Sequence, residues 1–219
     1  MIDRSILIEN RKQILCRQSK NKAIAAKSLP FFQDAECTGH YYPVRGEADI
    51  FTYREEIDER TCALPVVLND TEMKFYFPRE MRTGAFSIPE PVSDPAQETI
   101  PDVIVVPMLA FCWAYRIGYG KGYYDRYLAA HPESLRLGIA YDEQEIQARP
   151  APWDEPLDVL VTPERLSVFV PLRPELSDEN RRRISAAQTF LKQSGVPVSS
   201  DRRADAFDEN EPDRKERAA

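Results

Sequence analysis

The amino-acid sequence predicts an α/β fold: a single domain with a mostly parallel central sheet flanked by helices, in a Rossmann-like three-layer arrangement. The run PDVIVVP at residues 101–107 is short, apolar, β-branched and bounded by prolines, which is typical of a strand buried on both faces of a parallel sheet. Predicted strands and helices also alternate, since the helix GYYDRYLAAH at 122–131 precedes the strand LRLGIAY at 135–141. This alternation favours a sheet covered by helices.

The N-terminal part of the chain is predicted to hold helices followed by short strands. Residues 3–28 carry apolar side chains at helical intervals and form two helical pieces. The second piece ends before Pro30, because the residue preceding a proline disfavours helix. A short strand is predicted at 35–43, an amphipathic helix at 47–59 and a further strand at 61–68.

The remaining elements are short. MKFYFP at 73–78 predicts a strand, and residues 79–94 predict a loop. Prolines recur between residues 89 and 107 and exclude a long helix there. After the strand at 135–141, residues 142–147 predict a short helix or turn, and residues 157–170 predict one or two final strands.

The C-terminal part differs in composition from the rest of the chain. From residue 173 aliphatic residues become sparse and charged residues frequent, so this segment has little apolar surface with which to offset its ordering entropy. We therefore predict one domain at 1–172 and a charged, disordered C-terminal tail at 173–219. Within the tail, a short helix around Ile184 to Lys192 is the one candidate element.

Charge and cysteine usage restrict the class of protein. The net charge of −7 over 219 residues argues against a nucleic-acid binder that neutralises phosphates. The four cysteines form no CxxC pair and there are two histidines, so a zinc site is not expected. With no signal peptide and no long apolar run, we expect a cytoplasmic protein with no membrane partner.

The segment RIGYGKGYYDRYL at 116–128 contains the main candidate site. It places Gly118, Gly120 and Gly122 around Lys121, between the buried strand and the following helix. In open α/β sheets that position is the crevice at the carboxyl ends of the strands, where ligands bind. Glycine backbone and a helix N-terminus suit an anion, so phosphate binding is the predicted use. The alternative is a tight turn whose glycines adopt positive φ.

The glycine segment does not match the generic nucleotide motifs. A P-loop has GxxxxGK followed by Ser or Thr, whereas Lys121 is followed by Gly122. The dinucleotide fingerprint GxGxxG is absent too, because the glycines follow a GxGxG spacing.

Several motifs in order resemble those of 5-formyltetrahydrofolate cyclo-ligases, also called methenyltetrahydrofolate synthetases. That family has a D-x-hydrophobic-P-G-x-A-F-D segment followed by R-L-G-x-G-x-G-Y-Y-D, and the resemblance extends through most of residues 1–172. The matching segments of this chain are RSILIENR, YYPVRGEADI, GAFSIPEP, DVIVVPMLAF, RIGYGKGYYDRYL and LDVLVTPERL.

The resemblance implies an enzyme that closes the ring of 5-formyltetrahydrofolate to 5,10-methenyltetrahydrofolate, using ATP and Mg²⁺ and releasing ADP and phosphate. The expected partners are the small-molecule folate substrate and ATP, with no nucleic acid and no membrane. We expect a monomer.

The resemblance also implies roles for individual residues. Lys121 and Arg116 would be catalytic, neutralising phosphate charge, since phosphoryl transfer depends mostly on positioning and electrostatics. Asp125 and Asp158 would hold Mg²⁺, which prefers oxygen ligands. Glu47, Tyr123 and Tyr124 would bind the folate. The residues implied at ATP are Arg4, Arg116, Gly118, Tyr119, Gly120, Lys121, Gly122, Tyr124 and Asp125.

Three departures from the family pattern lie beside this segment. Met108 stands where the family has glycine, and Cys112 stands where it has an aspartate. The loop CWAYR at 112–116 is one residue shorter than usual and lacks its glycine. These changes leave open an altered rate, or a non-catalytic homologue that binds folate or nucleotide. A third alternative, an enzyme of the sugar-phosphate isomerase or CoA-transferase type, would need a catalytic carboxylate in place of the lysine-glycine segment.

Overall fold

A computed structural model describes residues 3–50, 61–169 and 173–200 of the chain. Most of the helix predicted at 47–59 lies outside these ranges. The α-helices of the described part are α1 (Arg4–Lys12), α2 (Arg17–Ser28), α3 (Tyr123–Ala130) and α4 (Asp178–Gln193). Its strands are β1 (Thr38–Gly39), β2 (Cys62–Val67), β3 (Met73–Tyr76), β4 (Met81–Thr83), β5 (Pro89–Pro91), β6 (Glu98–Thr99), β7 (Val103–Val106), β8 (Ala110–Cys112), β9 (Tyr115–Ile117), β10 (Leu135–Ile139), β11 (Val159–Val161), β12 (Leu166–Val168) and β13 (Val198–Ser200).

A nine-stranded sheet in the order β13-β12-β11-β10-β7-β1-β2-β3-β6 forms the centre of the fold. The five strands β11, β10, β7, β1 and β2 run parallel to their neighbours. Antiparallel pairs occur only further out, between β11 and β12, β2 and β3, and β3 and β6. The α/β fold with a mostly parallel sheet, predicted from the sequence, is confirmed.

Strand β7 is buried on both faces, as the run at 101–107 predicts. Val103 and Val105 pack on one side of the sheet, in a cluster that includes residues of β10, β11 and α4. Ile104 and Val106 pack on the other side, in a cluster that includes Leu128 of α3. A strand in this position needs apolar residues at every place rather than at alternate ones.

The sheet changes direction between β1 and β7. From β1 the chain continues to its neighbour β2 on one side, and from β7 it continues to its neighbour β10 on the other side. A crevice forms at such a switch point, outside the carboxyl ends of the two strands. The short hairpin of β8 and β9 follows β7, and the amide of Leu109 donates to the carbonyl of Ile117 at 2.8 Å. This hairpin delivers the glycine segment to the crevice.

Several short strands are absent from the sequence-based prediction. The predicted loop at 79–94 contains the hairpin of β4 and β5, and the β8–β9 hairpin lies in a stretch with no predicted element. Strands of three residues, one of them beginning and ending in proline, are too short to show a period of two. None of the helices in the described ranges is both long and apolar enough to cross a membrane.

The prediction of a disordered tail is wrong for residues 178–200. Helix α4 covers most of this segment, and β13 adds a parallel strand beside β12. Ile184, Ala187 and Leu191 recur at helical spacing and are each at most 3% exposed. A single apolar stripe is enough to bury one face of a helix, although the average composition of the segment is polar. The described part of the domain therefore extends past the predicted boundary at 172 to residue 200, and the tail beyond residue 200 stays a prediction.

A buried ion pair joins this C-terminal segment to the sheet. The carboxylate of Asp158, directly before β11, accepts from the guanidinium of Arg173 and, at 2.8 Å, from the amide of Arg136. Burial raises the pKa of Asp158 to about 6, while Arg173 and the Arg136 amide oppose the shift. The pair therefore stabilises the fold only with both partners present, because a lone charge at this site would be buried and unpaired.

We predict that α4 is a structural part of the domain. Leu191→Ala should lower the free energy of unfolding by about 2–5 kcal/mol, because it opens a cavity in the core. Phe190→Ala is the matched control, since Phe190 is 56% exposed and Leu191 is 3% exposed, and it should change stability by less than about 0.5 kcal/mol. Urea unfolding of both variants measures the difference, and equal losses would contradict a docked helix.

Candidate active site

The glycine segment forms an open turn at the start of α3. Gly120 and Gly122 have φ values of +91° and +69°, a conformation that residues with a Cβ rarely adopt. Gly122 is the residue before the first turn of α3, and no side chain caps the amides of that turn. The segment is therefore a tight turn, the alternative left open by the sequence, and also an uncapped helix start that suits an anion.

Several basic side chains lie at this turn. Lys121 belongs to it, and its ammonium is exposed and has no hydrogen bond or ion pair within the described ranges. Arg4 of α1 reaches the segment and donates from Nε to the carbonyl of Gly118 at 3.0 Å. The Nη2 of Arg116 lies 2.7 Å from Oδ1 of Asp125, and Arg126 donates to the carbonyl of Lys121 at 2.9 Å. Positive charge is therefore concentrated at this turn.

Buried polar atoms without partners lie beneath the turn. The guanidinium carbon of Arg116 lies 5.5 Å from the ring centroid of Tyr124. The Nε of Arg116 and the hydroxyl of Tyr124 are both buried, and neither has a hydrogen-bond partner in the described structure. Burial raises the pKa of Tyr124, and the negative charge of Glu47 adds to the shift. Unpaired buried donors of this kind suit a ligand that brings acceptors.

A second polar cluster centres on Glu47, which follows β1. One carboxylate oxygen, Oε2, accepts from the amide of Val44 at 2.9 Å, and the other, Oε1, accepts from the hydroxyl of Tyr119 at 3.0 Å. Arg11 of α1 lies 3.7 Å from Oε1. Burial raises the pKa of Glu47, while the Val44 amide, Arg11 and Tyr119 oppose the shift. The cluster presents a buried carboxylate at the edge of the crevice.

Arg11 is the site residue that the sequence reasoning missed. Its side chain is fully buried, and it donates to the carbonyls of Met108 and Arg45 and to the hydroxyl of Tyr119, at 2.9, 3.1 and 2.6 Å. Arg11 therefore connects the loop after β1, the loop after β7 and the glycine segment. Its spacing from Arg4, seven residues or two helical turns, was the available signal, because it places both arginines on one face of α1.

Tyr123 packs beside Arg126 at the start of α3. The guanidinium carbon of Arg126 lies 5.5 Å from the Tyr123 ring centroid, and Arg126 also donates to the carbonyl of Thr71 at 2.7 Å. The structure thus brings Tyr119 and Arg11 to the predicted folate carboxylate, while the folate contact of Tyr123 stays a prediction.

Comparisons with known proteins identify the family of the chain. The family model described as the 5-formyltetrahydrofolate cyclo-ligase family matches residues 4–163. The chain belongs to the 5-formyltetrahydrofolate cyclo-ligase family. The family resemblance inferred from the sequence motifs is thereby confirmed.

Two curated members of the cyclo-ligase family illustrate the relationship. The chain is 32% identical over 126 residues to the 5-formyltetrahydrofolate cyclo-ligase of Mycoplasma genitalium, covering 55% of this chain and 68% of the relative. It is 33% identical over 129 residues to the enzyme of the same name from Mycoplasma pneumoniae, covering 57% of this chain and 71% of the relative.

Two solved structures of the family share the fold. The 5,10-methenyltetrahydrofolate synthetase of Aquifex aeolicus superposes with a TM-score of 0.64 at 32% identity, covering 74% of this chain and 89% of that chain. The 5,10-methenyltetrahydrofolate synthetase of Mycoplasma pneumoniae gives a TM-score of 0.58 at 25% identity, covering 74% and 96%.

Asp158 does not join the cyclo-ligase site. It lies at the amino end of β11, hydrogen-bonded to the amide of Arg136 near the start of β10, whereas the glycine segment lies beyond the carboxyl end of β7. Its carboxylate is fully buried and paired with Arg173. The predicted metal pair of Asp125 and Asp158 is therefore not assembled, and the role of Asp158 is structural.

The departures from the cyclo-ligase pattern lie in and next to the β8–β9 hairpin. Met108 is 2% exposed, and its carbonyl accepts from Arg11, a contact that any residue type provides. The loop without glycine is the two-residue turn between β8 and β9, where Trp113 adopts a φ of +53°. Such turns favour positive φ. Cys112 is half-buried on β8. Because this residue is a cysteine, the position has no carboxylate.

The electrostatics of Glu47 predict a measurable titration. Its pKa should lie above the ordinary glutamate value, and Tyr119→Phe should raise it further by removing a hydrogen bond that favours the ionised form. Carbon-13 NMR of the labelled carboxyl group measures both values. Tyr115→Phe, on the neighbouring strand β9, serves as the control and should leave the Glu47 titration unchanged. A Glu47 pKa that does not respond to Tyr119→Phe would contradict the observed hydrogen bond.

Proposed function

We propose that this protein catalyses the ATP- and Mg²⁺-dependent cyclisation of 5-formyltetrahydrofolate to 5,10-methenyltetrahydrofolate, with release of ADP and phosphate. The observation that supports this most directly is that the hydroxyl of Tyr119, in the glycine segment, donates to the carboxylate of Glu47 at 3.0 Å and so brings the two groups together. The glycine segment can bind the phosphates of a nucleotide, and the buried carboxylate beside it can bind the folate. This pairing suits a reaction between the two substrates. We also propose that the enzyme acts in the cytoplasm as a monomer.

The glycine segment would hold the phosphates of ATP. The uncapped amides at the start of α3 would face phosphate oxygens around Gly118, Gly120 and Gly122. Lys121 and Arg4 would contribute charge from the exposed side, and Arg116 from below. Tyr119 and Tyr124 would border the same position.

Asp125 would hold Mg²⁺ together with the phosphates. Within the described ranges no group of three or more histidine, cysteine, aspartate or glutamate residues could hold a metal by itself. Mg²⁺ commonly takes one or two carboxylates and completes its shell with phosphate oxygens and water, so the single carboxylate of Asp125 fits. The ion would supply positive charge at the phosphates.

The reaction requires an activated formyl oxygen and a positioned amine. The formyl oxygen attacks the γ-phosphorus, a new O–P bond forms and the bond to ADP breaks. N10 then adds to the formyl carbon and loses its proton, and the C–O bond breaks to release phosphate. Lys121 and Arg116 would stabilise the charge on the transferring group. Glu47 would fix the folate by accepting hydrogen bonds from its N–H groups.

The direct test is to mix the protein with MgATP and 5-formyltetrahydrofolate and to follow the near-ultraviolet absorbance of the methenyl product and the release of phosphate. A cysteine at position 112, where the family has a carboxylate, favours one alternative, a non-catalytic folate- or nucleotide-binding homologue. Binding of both ligands without product or phosphate would establish that alternative.

Lys121→Met should reduce turnover about a hundredfold at saturating substrates, because a charged hydrogen bond to the transferring phosphoryl group is lost. The fold should be retained, since the Lys121 side chain is exposed. Lys192→Met removes an exposed lysine of α4 and should leave turnover unchanged. Turnover of Lys121→Met within about threefold of the parent enzyme would reject the catalytic role of this lysine.

The two predicted metal carboxylates should respond differently to amide substitution. Asp125→Asn should raise the Mg²⁺ concentration needed for half-maximal turnover, because the ion has few direct protein oxygens. Asp158→Asn should lower the melting temperature and leave the Mg²⁺ requirement unchanged, because Asp158 is paired with Arg173. Mg²⁺ titrations of turnover measure both. A raised Mg²⁺ requirement in Asp158→Asn would indicate that Asp158 is a Mg²⁺ ligand, as expected from the sequence.

A further inference from the structure

We propose that Tyr119 is a positioning residue that couples the two substrate sites: its hydroxyl, held by Arg11, links the glycine segment to the carboxylate of Glu47, so that nucleotide and folate strengthen each other's binding. This inference rests on the proposed function for the identity of the two ligands. The link itself rests on contacts between residues of the described chain.

The contacts place Tyr119 between the two sites. It lies in the middle of the glycine segment, yet its hydroxyl donates to Oε1 of Glu47 at 3.0 Å and accepts from Nη2 of Arg11 at 2.6 Å. Its ring lies near two guanidinium groups, with centroid distances of 5.8 Å to Arg11 and 5.7 Å to Arg45. A tyrosine hydroxyl can donate one hydrogen bond and accept others, so one oxygen serves both partners.

One side of this link is rigid. Arg11 is 1% exposed and is fixed by the carbonyls of Met108 and Arg45. Glu47 is fixed on its other oxygen by the amide of Val44. A buried guanidinium with several acceptors has little freedom to move without leaving donors unpaired.

The other side of the link is a segment of exposed backbone. Gly120 and Lys121 are exposed, and Gly120 has positive φ. Glycine backbone loses more conformational freedom on ordering than other residues do. A nucleotide that orders this segment would hold the Tyr119 hydroxyl against Glu47 and so fix the carboxylate for folate. Folate bound at Glu47 would have the reciprocal effect on the nucleotide, because coupling free energies are symmetric.

Isothermal titration calorimetry of the full chain tests the coupling. The affinity for 5-formyltetrahydrofolate is measured alone and with saturating Mg²⁺ and a non-hydrolysable ATP analogue. In the parent protein the analogue should tighten folate binding by about fivefold or more. This ratio of the folate affinities with and without the analogue is the coupling factor. In Tyr119→Phe, which removes one oxygen, the coupling factor should fall below about twofold. The reverse titration of the analogue should give the same factors.

Two further variants separate coupling from a general structural effect. Tyr115→Phe, which removes a hydroxyl from β9, should keep the parental coupling factor. Arg11→Lys keeps the charge but loses the several donors that reach Tyr119, Met108 and Arg45, so it should reduce the coupling factor as Tyr119→Phe does.

The outcomes distinguish this inference from the proposed function. If both ligands bind the parent protein and the coupling factor is absent, or is the same in Tyr119→Phe, the positioning role is wrong and the proposed function stands. If neither ligand binds the parent protein, the proposed function fails and the inference fails with it.

Discussion

The candidate site depends on the hydrogen bonds that the buried guanidinium of Arg11 makes. A charge removed from water is tolerated only when hydrogen-bond acceptors surround it, and here those acceptors come from three separate parts of the chain. The carbonyls of Arg45 and Met108 lie in the loops after β1 and β7, and the hydroxyl of Tyr119 lies in the glycine segment. Helix α1 therefore fixes the relative positions of these loops, although it is not part of the sheet.

The two edges of the parallel sheet have different roles. The carboxyl edge holds Glu47 and the glycine segment, whose polar atoms remain partly unpaired. At the amino edge, Asp158 is bonded to Arg136 and Arg173, and the guanidinium of Arg173 also donates to the carbonyl of Ser134 at 3.2 Å. This second cluster attaches the C-terminal segment beneath the sheet. The amino-edge cluster thus links the C-terminal segment to the starts of β10 and β11, although Nε of Arg136 and Oδ1 of Asp158 also lack partners there.

Local patterns in the sequence predicted the centre of the fold. The apolar run at 101–107 predicts a strand buried on both faces, and β7 is such a strand. The phosphate-binding role of the glycine segment stays a prediction. Arg11 was not predicted as a site residue, because its neighbour Lys12 has similar chemistry and only the fold shows that Arg11 is buried and Lys12 is exposed. Asp158 lies directly before a strand, a position that a metal ligand could also occupy. Its partner Arg173 comes close only in the folded chain, so the sequence pattern did not reveal the ion pair.

The departures from the family pattern change side chains beside the site and shorten the β8–β9 loop by one residue. Arg11 needs only the carbonyl at position 108, so methionine in place of glycine retains that contact. At position 113 a positive φ without glycine costs about 1–3 kcal/mol, and the Trp113 ring packs 5.6 Å from Phe169 and 6.1 Å from Tyr115, which offsets part of that strain. The short β8–β9 turn therefore still delivers Arg116 and Gly118 to the crevice. At position 112 a cysteine stands where the family has a carboxylate, which changes the charge beside the glycine segment.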